Sequence, residues 1–583
     1  MKKLPDILFY LIIFLFLSVF LSVFSEFHFY SVEQNQLFQI SWPSISEMLM
    51  KPGGLALVIT ESLVQFFIVP YAGAVITAAL LTLIGLLTSM VLRRIDPKTH
   101  LFILPLLPVL TLLFVHFDYN YILQGTIALG MMLLVLYGVL KIKPVIYRLV
   151  ASLVATILLF FFAGAVFSLF ALAIMLCEVI NRTSCWYYFL GTGFIALLLG
   201  IGSVYFSFIG EYRFAFLPDA YYHVRLVPDK VIYYSWLSFL LSLLIVFILR
   251  HKNELKGKML VIVSAIQILL ICFLFWKGVE KYGDSKSYQM KTMDYYARTE
   301  QWDKILEMCR KPMTNYLYMC YANMALAHKG QLADDAFKYD QRGPQGLAVT
   351  WNKSANVSTL LSDVYFAMGN VAIAQEMAFE SNLGSLCDGN PRMMKRLVQT
   401  NLIYGTYPVA EKYIAVLENT LYYRDWAKEQ RKFLYNDAEV ESDPLLGNMR
   451  KGLLTNSILS QIDGFDADLR LMAEQNPANK AAFQYLGVFY LLMKDMDKFK
   501  NMIETYYGTE FLPVLPTSYQ EAVITLSERE SDYWKRFGVS ESIVKRFDEY
   551  KRQVLANRNN PNALPGLLGR SYGDTYWFYY MFK

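Results

Sequence analysis

Charged residues are scarce in this chain. Only 18% of its 583 residues are Asp, Glu, Lys or Arg, whereas 55% are hydrophobic, and the mean hydropathy is +0.32. Average soluble domains have about 25% charged residues, so this composition indicates a membrane protein joined to a soluble part. The net charge of +5 is small for this length and gives no argument for a nucleic-acid partner.

The chain also lacks the signatures of several soluble enzymes. It has no phosphate-binding Gly-Lys loop, no nucleophile elbow and no Cys/His zinc spacing, so ATP hydrolysis, serine hydrolysis and structural zinc have no support. Cysteine is rare, and only three of the six residues lie in the second half. An odd number allows at most one intrachain disulfide there, for which the nearest pair is Cys309 and Cys320, with Cys387 further away.

The first apolar run, residues 7–24, is too long for the core of a signal peptide. The following SEFHF offers no small-residue cleavage site, so we predict a retained transmembrane helix. Runs long enough to cross about 30 Å of hydrocarbon occur roughly at 7–25, 71–92, 100–116, 121–140, 146–163, 165–181, 186–206, 231–249 and 259–276. Only Ala163-Gly164 separates the fifth and sixth runs, so one long, tilted or kinked helix is the alternative there.

The basic residues of the short loops predict the orientation, because cytoplasmic loops carry an excess of Lys and Arg. With a cytoplasmic N-terminus, thirteen such residues lie in inner loops and four in outer loops, namely Lys51, Arg213, Arg225 and Lys230. Merging the fifth and sixth runs would turn the basic loop 250–258 outward, which favours nine spans. The predicted parts are a transmembrane domain over 1–280, outer loops over 26–70 and 207–230, and an exterior, periplasmic domain over 288–583.

The second half predicts a helical repeat. In ANKAAFQYLGVFY the spacing is typical of tetratricopeptide repeats at Phe483, Leu486, Gly487 and Tyr490. Turns between paired helices are expected at Gly330, Gly369 and Gly405. The fold class is therefore all-α: a polytopic membrane domain followed by a soluble α-solenoid, whose concave face would bind a peptide, protein or glycan. The aromatic tail over 571–583 is expected to pack on the last repeat, with a membrane-facing anchor as the alternative.

Polar residues gather on the predicted outer side. Acids, imidazoles and arginines occur in three outer segments, SEFHFYSVEQNQLF (25–38), HFDYN (116–120) and GEYRFAFLPDAYYHVRLVPDK (210–230). The segment 52–67 predicts a short helix in or dipping into the outer leaflet, with Glu61 and Gln65 on one face. A carboxylate on an apolar helix at membrane depth usually faces a partner or a wet cavity. We therefore predict a shared cavity, the alternative being that these residues simply lie in the headgroup belt.

Such a cavity suits the transfer of a sugar from a polyprenyl-phosphate-linked donor to an exterior acceptor. The catalytic candidate is Glu33, as base or metal ligand, supported by Glu61 and Asp118. The donor phosphate needs a cation nearby, and the substrate-binding candidates are His28, Glu211, Arg213, His223 and Arg225. Hard oxygen ligands such as those of Glu33 and Asp118 suit Mg²⁺ or Mn²⁺.

The plan resembles that of membrane glycosyltransferases of the C type, which are polytopic, carry catalytic acids in a long first outer loop and often end in an exterior domain. Where that family commonly shows an acidic pair, this chain has Glu33 followed by Gln34. O-antigen ligases and related oligosaccharyltransferases pair outer-loop His and Arg with tetratricopeptide repeats, and His223 and Arg225 in DAYYHVR resemble such a pair.

A further resemblance covers most of the chain. It is to an uncharacterised family of Bacteroidota membrane proteins with helical-repeat C-termini, and it rests on PGGL (52–55), QFF (65–67) and NPRMMKRLVQTNLIYGTYPVAEKYI (390–414). This resemblance implies a bacterial inner membrane, and hence contact with membrane lipids, but it implies no activity.

Three functions are therefore weighed. The first is an envelope glycosyltransferase or oligosaccharyltransferase with the residues named above. The second is a non-enzymatic, membrane-anchored scaffold whose repeats recruit an envelope protein. The third is a transporter or lipid flippase, against which stand the lack of an internal repeat in the membrane region and the lack of paired, Gly/Pro-broken helices.

Overall fold

The computed structural model describes residues 4–583 apart from 97–100, 182, 184, 250–257, 284–286, 314, 388, 455–463 and 529. Within these residues the fold is all-helical, with isolated β-bridges and no strand. The chain forms two compact units. Unit 1 is Met1–Tyr288 together with the short segments Leu386–Asp388 and Asn419–Tyr422, and unit 2 is the remainder.

Unit 1 is built from apolar helices. They are α1 (Leu4–Phe24), α2 (Glu26–Glu33), α3 (Trp42–Met50), α4 (Gly54–Val64), α5 (Ala72–Ile95), α6 (Ile103–Val115), α7 (Gln124–Leu140), α8 (Val145–Ala163), α9 (Val166–Ile180), α10 (Leu190–Tyr205), α11 (Tyr212–Phe216), α12 (Val231–Leu249) and α13 (Lys258–Tyr282). Short 3₁₀ turns follow α4 and precede α10, at Gln65–Ile68 and Trp186–Phe189.

Six helices in the described part of unit 1 are long and apolar enough to cross a membrane: α1, α5, α8, α10 with its preceding turn, α12 and α13. Four shorter apolar helices accompany them: α4 with its following turn, α6, α7 and α9. Every run predicted as a span coincides with one of these ten helices, and the tenth is the helix expected within 52–67. Several helices expose large apolar side chains, as Val19, Phe194 and Leu269 do, a pattern compatible with a lipid environment.

The fifth and sixth apolar runs are two helices. Gly164 ends α8 with a left-handed φ of 81°, a conformation that favours glycine. Near the opposite ends, Arg148 of α8 donates two hydrogen bonds to the Glu178 carboxylate of α9, with Nε–Oε1 2.6 Å and Nη2–Oε2 2.8 Å. Since the start of α8 lies beside the end of α9, the two helices run antiparallel.

Gly54, at the start of α4, lies against the backbone of α3. A Cβ here would stand 2.3 Å from the Met48 carbonyl oxygen and 2.7 Å from the Leu49 Cα. Because backbone atoms cannot rotate aside, we expect Gly54→Ala to lower the free energy of unfolding by about 1–3 kcal/mol. The matched control is Gly138→Ala in α7, where a Cβ would meet no described atom within 4 Å and alanine favours the helix. Thermal unfolding of the full chain in detergent would contradict this expectation if both variants melted at the same temperature.

Unit 2 consists of short helices. They are α14 (Tyr288–Arg298), α15 (Trp302–Met308), α16 (Tyr316–His328), α17 (Leu332–Asp335), α18 (Ala355–Met368), α19 (Val371–Leu383), α20 (Pro391–Tyr404), α21 (Tyr407–Glu418), α22 (Arg424–Gln430), α23 (Asp437–Ser442), α24 (Leu446–Lys451), α25 (Phe465–Gln475), α26 (Lys480–Met493), α27 (Met496–Tyr506), α28 (Thr517–Leu526), α29 (Ser531–Arg536), α30 (Glu541–Ala556), α31 (Leu564–Tyr572) and α32 (Tyr576–Phe582).

The predicted glycine turns are confirmed. Gly330, Gly369 and Gly405 have left-handed φ angles of 68°, 94° and 70° and join α16 to α17, α18 to α19 and α20 to α21. The helices α18, α19, α20 and α21 pack consecutively. In α26, Gly487 lies close to the side chain of Tyr519, since a Cβ there would stand 2.0 Å from the Tyr519 hydroxyl oxygen.

The C-terminal tail forms α32 and packs inside unit 2, against α28 and α31. Four of its aromatic side chains are buried, and the Tyr579 hydroxyl donates to the Leu492 carbonyl at 2.8 Å. The predicted packing of the tail is confirmed, and the membrane-anchor alternative is wrong for these rings. No disulfide joins the cysteines of the described residues. Cys309 and Cys320 therefore form no disulfide in this structure, and burial raises the pKa of both to about 12.

Candidate functional site

Two outer segments predicted to lie together are joined by backbone hydrogen bonds. The Ile122 N–H donates to the Tyr221 carbonyl at 2.9 Å, and the His223 N–H donates to the Asn120 carbonyl at 3.0 Å. Asp118 is thereby held beside the loop 217–224, although about a hundred residues separate the two segments in sequence.

The Asp118 carboxylate is fixed by three hydrogen bonds. Its Oδ2 accepts from the Tyr222 hydroxyl at 2.6 Å, and its Oδ1 accepts from the Asn120 backbone N–H at 3.0 Å and side-chain amide at 2.9 Å. Burial, and then the neighbouring carboxylate, raise the pKa of the Tyr222 hydroxyl, so Tyr222 stays protonated and continues to donate. Asp118 therefore positions Tyr222 within the site.

A cavity of about 430 Å³, called the polar cavity below although about half of its wall is apolar, opens beside this pair. Three more charged groups line it, Asp229, Glu280 and Lys281, together with the side chains of Tyr119 and Tyr282. The Asp229 carboxylate accepts from the Val231 N–H at 3.3 Å at the start of α12. The cavity thus combines carboxylates, phenol hydroxyls and an ammonium group, which are the groups that bind sugar hydroxyls and an anionic leaving group.

A second cavity, of about 350 Å³, is mainly apolar. It is lined by His28 and Ser25 and by apolar groups that include Phe20, Val23, Phe24 and Val279. Both cavities share the wall residues Phe117, Glu280 and Gly283. The two cavities therefore adjoin each other at these residues, and the exposed Glu280 carboxylate accepts a hydrogen bond from the Lys277 ammonium at 2.8 Å.

The predicted site residues are only partly brought together. Asp118 lines the polar cavity and His28 the apolar one, and His223 lies beside Asp118 in the paired loops. Glu33 and Glu61 are each 2% exposed, on α2 and α4, and line neither cavity. The helix α2 packs against the turn that continues α4, so these two acids lie on neighbouring elements. The helix predicted within 52–67 exists, and it packs on α7 and α8.

The arginines predicted to hold a phosphate lie elsewhere. Arg213 Nε donates to the Glu211 carboxylate at 2.7 Å. The Arg225 side chain is exposed, and its backbone N–H donates to His223 Nδ1 at 3.2 Å. Neither arginine lines the polar or the apolar cavity. Among the described residues, no three His, Cys, Asp or Glu side chains are placed to hold a metal ion, and the roles of Glu33 and Asp118 as Mg²⁺ or Mn²⁺ ligands stay a prediction.

Sequence reasoning missed Glu280, Lys281 and Tyr282. The last apolar run was predicted to end at Trp276, whereas α13 continues to Tyr282. The signal that could have found these residues is KGVEKYG (277–283), which puts charges within the two helical turns after an apolar run.

Comparison with known proteins gives one finding. A family model described as a family of unknown function (DUF6057) matches residues 2–583. No curated protein and no solved structure gives a significant match. The expectation of an uncharacterised family is therefore confirmed over nearly the whole chain, and the likeness to glycosyltransferases stays a prediction from the sequence.

Proposed function

The chain belongs to the DUF6057 family of unknown function, and from that premise and the paired cavities we propose that it transfers a sugar from a polyprenyl-phosphate-linked donor to an exterior acceptor. The observation that carries the proposal is the junction of the apolar and polar cavities at Glu280. The apolar cavity suits the isoprenoid chain of the donor, and the polar cavity suits its phosphate-linked sugar. One bound donor would therefore occupy both cavities.

Each group at the junction has a proposed role. Lys281 holds the donor phosphate as a point charge. Glu280 takes the proton of the acceptor hydroxyl as it attacks the sugar carbon, and the bond to the phosphate oxygen breaks. Tyr222, whose hydroxyl donates to Asp118, accepts a hydrogen bond from a hydroxyl group of the sugar. No step needs a metal ion.

We also propose nine spans, formed by α1, α5 to α10, α12 and α13, in a bacterial inner membrane with a cytoplasmic N-terminus. Nine alternating crossings put nine helix ends on the outer face, and four of them lie at the cavities: the ends of α1, α6 and α13 and the start of α12. All four contribute residues to the two cavities, which supports the sidedness inferred from the loop charges.

Contacts at the other face support the same topology. Arg93 near the end of α5 pairs with Asp6 near the start of α1 at 2.5 Å, and Arg94 Nε donates to the Leu140 carbonyl at the end of α7 at 3.3 Å. Alternating spans place all these ends in the cytoplasm, as they do the ends joined by Arg148 and Glu178.

Unit 2 is, on this proposal, a periplasmic, tetratricopeptide-like α-solenoid that binds a peptide, protein or glycan. Consecutive packing from α18 to α21, with left-handed glycine turns, supports this.

The test is substitution in the full chain at the cavity junction. In the organism of origin, deletion of the gene should remove an envelope glycan product that mass spectrometry detects. We expect Glu280→Gln to restore about 10²- to 10⁴-fold less product than wild type, because a positioned base contributes about that factor. Lys281→Gln should also fail, and should lose undecaprenyl phosphate in native mass spectrometry of the purified chain.

The matched control is Lys51→Gln, an exposed lysine paired with Glu47 that lines neither cavity. It should restore the product fully. If Glu280→Gln and Lys281→Gln were inserted at wild-type levels and both restored the glycan product fully, the proposed roles of these two residues in sugar transfer would be wrong.

A further inference from the structure

A largely buried cluster of charges lies in unit 2 on the alternate helices α14, α16, α18 and α20. The Arg392 guanidinium donates to Asp294 Oδ1 at 2.9 Å and also to Asp363. Arg396 donates to Asp363 Oδ1 at 3.1 Å, and the Tyr321 hydroxyl donates to Asp294 Oδ1 at 3.1 Å. Two carboxylates therefore face two arginines, and their charges balance.

Lys395 adds a further positive charge, which neither of these two carboxylates neutralises. Its ammonium lies 4.6 Å from the centre of the Trp426 ring, and no carboxylate in the described part of the chain is within 4.0 Å of it. Burial first, and then Arg298, Arg396 and Arg392, lower the pKa of Lys395. This environment is electrostatically unfavourable for a lysine, because burial and like charges both oppose its charged form.

Arg396 is also incompletely satisfied. One Nη donates to Gln399 Oε1 at 3.1 Å, and the guanidinium lies 3.5 Å from the centre of the Phe366 ring. Its Nε is buried without a hydrogen-bond partner. A buried donor without a partner and a lysine among arginines both call for an acceptor that the described side chains do not supply.

We propose that Lys395 and Arg396 form a binding site for an oxyanion, a phosphate or a carboxylate group of a ligand that docks on unit 2. The anion accepts hydrogen bonds from the lysine ammonium and the arginine guanidinium and neutralises the surplus positive charge. The Trp426 ring lies against the lysine ammonium and the Phe366 ring against the arginine guanidinium. This site is separate from the cavities of unit 1 and does not depend on sugar transfer.

The test uses the full chain in detergent with two probes, inorganic phosphate and a short peptide with a free terminal carboxylate, the peptide amide being the neutral control. Isothermal titration should detect binding of phosphate, of the free peptide or of both, and thus identify the oxyanion. Lys395→Gln and Arg396→Gln should each weaken that binding at least about tenfold, because a hydrogen bond to a charged group is lost. Lys412→Gln, an exposed position on α21, should bind as wild type does.

Melting temperatures separate binding from a structural role. Without an anion, Lys395→Gln should melt at or above the wild-type temperature, because it removes a repelled charge, and added anion should raise the melting temperature of wild type only. Binding of neither probe, equal binding by Lys395→Gln, or a lower melting temperature of Lys395→Gln without anion would each overturn the proposal.

Discussion

Arg148→Met should lower the free energy of unfolding of the full chain by about 3–5 kcal/mol, the cost of removing one partner of a buried ion pair. Glu178 is fully buried, and Arg148 holds both of its carboxylate oxygens. Among the described residues, the other side-chain donor to this carboxylate is the Thr183 hydroxyl, 2.7 Å from Oε2. Without the guanidinium, the carboxylate must either stay charged in an apolar environment or bind a proton, and both weaken the antiparallel pair α8 and α9.

Glu178→Gln should cost less, because Arg148 keeps the carbonyl of Ile142 at 2.8 Å and that of Lys143 at 3.2 Å as acceptors. The double variant Arg148→Met, Glu178→Met should recover most of the loss, since no unpaired charge remains. Arg93→Gln is the control, because its pair with Asp6 is exposed and is worth about 1 kcal/mol or less. Thermal and denaturant unfolding in detergent measure all four. A loss for Arg148→Met no larger than that for Arg93→Gln would contradict the role of burial.

The helices of unit 1 could be predicted because apolar length and helical hydrogen bonding go together in a membrane. Their ends could not. The helix α13 runs past Trp276 to Tyr282 because backbone hydrogen bonding does not stop where hydrophobicity stops. The sequence around Gly164 was compatible with one kinked helix or with two helices, because glycine fits either a kink or a left-handed turn. The ion pair between Arg148 and Glu178 forms because α8 and α9 run antiparallel. Since the two residues are thirty positions apart, no local sequence pattern predicts it.

The sequence allowed us to predict some residues of the candidate site but not their arrangement. Acids and histidines outside the apolar runs were visible, and Asp118 and His28 do line the two cavities. Their arrangement depends on pairing between the loops around Asn120 and Tyr221, which is set by backbone hydrogen bonds with no side-chain signature. Glu61 lies within an apolar run and was therefore predicted to face a partner or a wet cavity. Its helix α4 packs on α7 and α8, and Glu61 lines neither cavity.

The charges of α20 illustrate a different limit. Residues 392, 395, 396 and 399 recur at helical spacing, and such a polar face is normally read as solvated. The structure instead turns it toward Asp294 and Asp363 from α14 and α18. Two oppositely charged faces can be recognised as partners only when the stacking order of the helices is known.

Glu521→Gln should abolish a loss of stability that the wild-type chain shows between about pH 4.5 and pH 7. Glu521 lies on α28 and is 4% exposed, and its Oε2 accepts the Tyr576 N–H at 2.7 Å. Burial raises the pKa of this carboxyl from its ordinary 4.5 to about 7, partly offset by the hydrogen bond from Tyr576. The folded chain therefore binds a proton that the unfolded chain has already released in this pH range, so stability falls as the pH rises.

The change from 4.5 to about 7 corresponds to about 3 kcal/mol, fully present below pH 4.5 and lost above pH 7. Glutamine keeps the acceptor for Tyr576 without the charge, so the variant should be more stable than wild type by roughly this amount at pH 8 and nearly equal to it at pH 4.5. The control Glu528→Gln, an exposed residue paired with Lys551, should keep the wild-type pH dependence. Melting temperatures of the three full-length proteins over this range decide the matter. Parallel curves for wild type and Glu521→Gln would mean that the carboxyl is ionised in the folded protein and that α32 is held against α28 by a charged group.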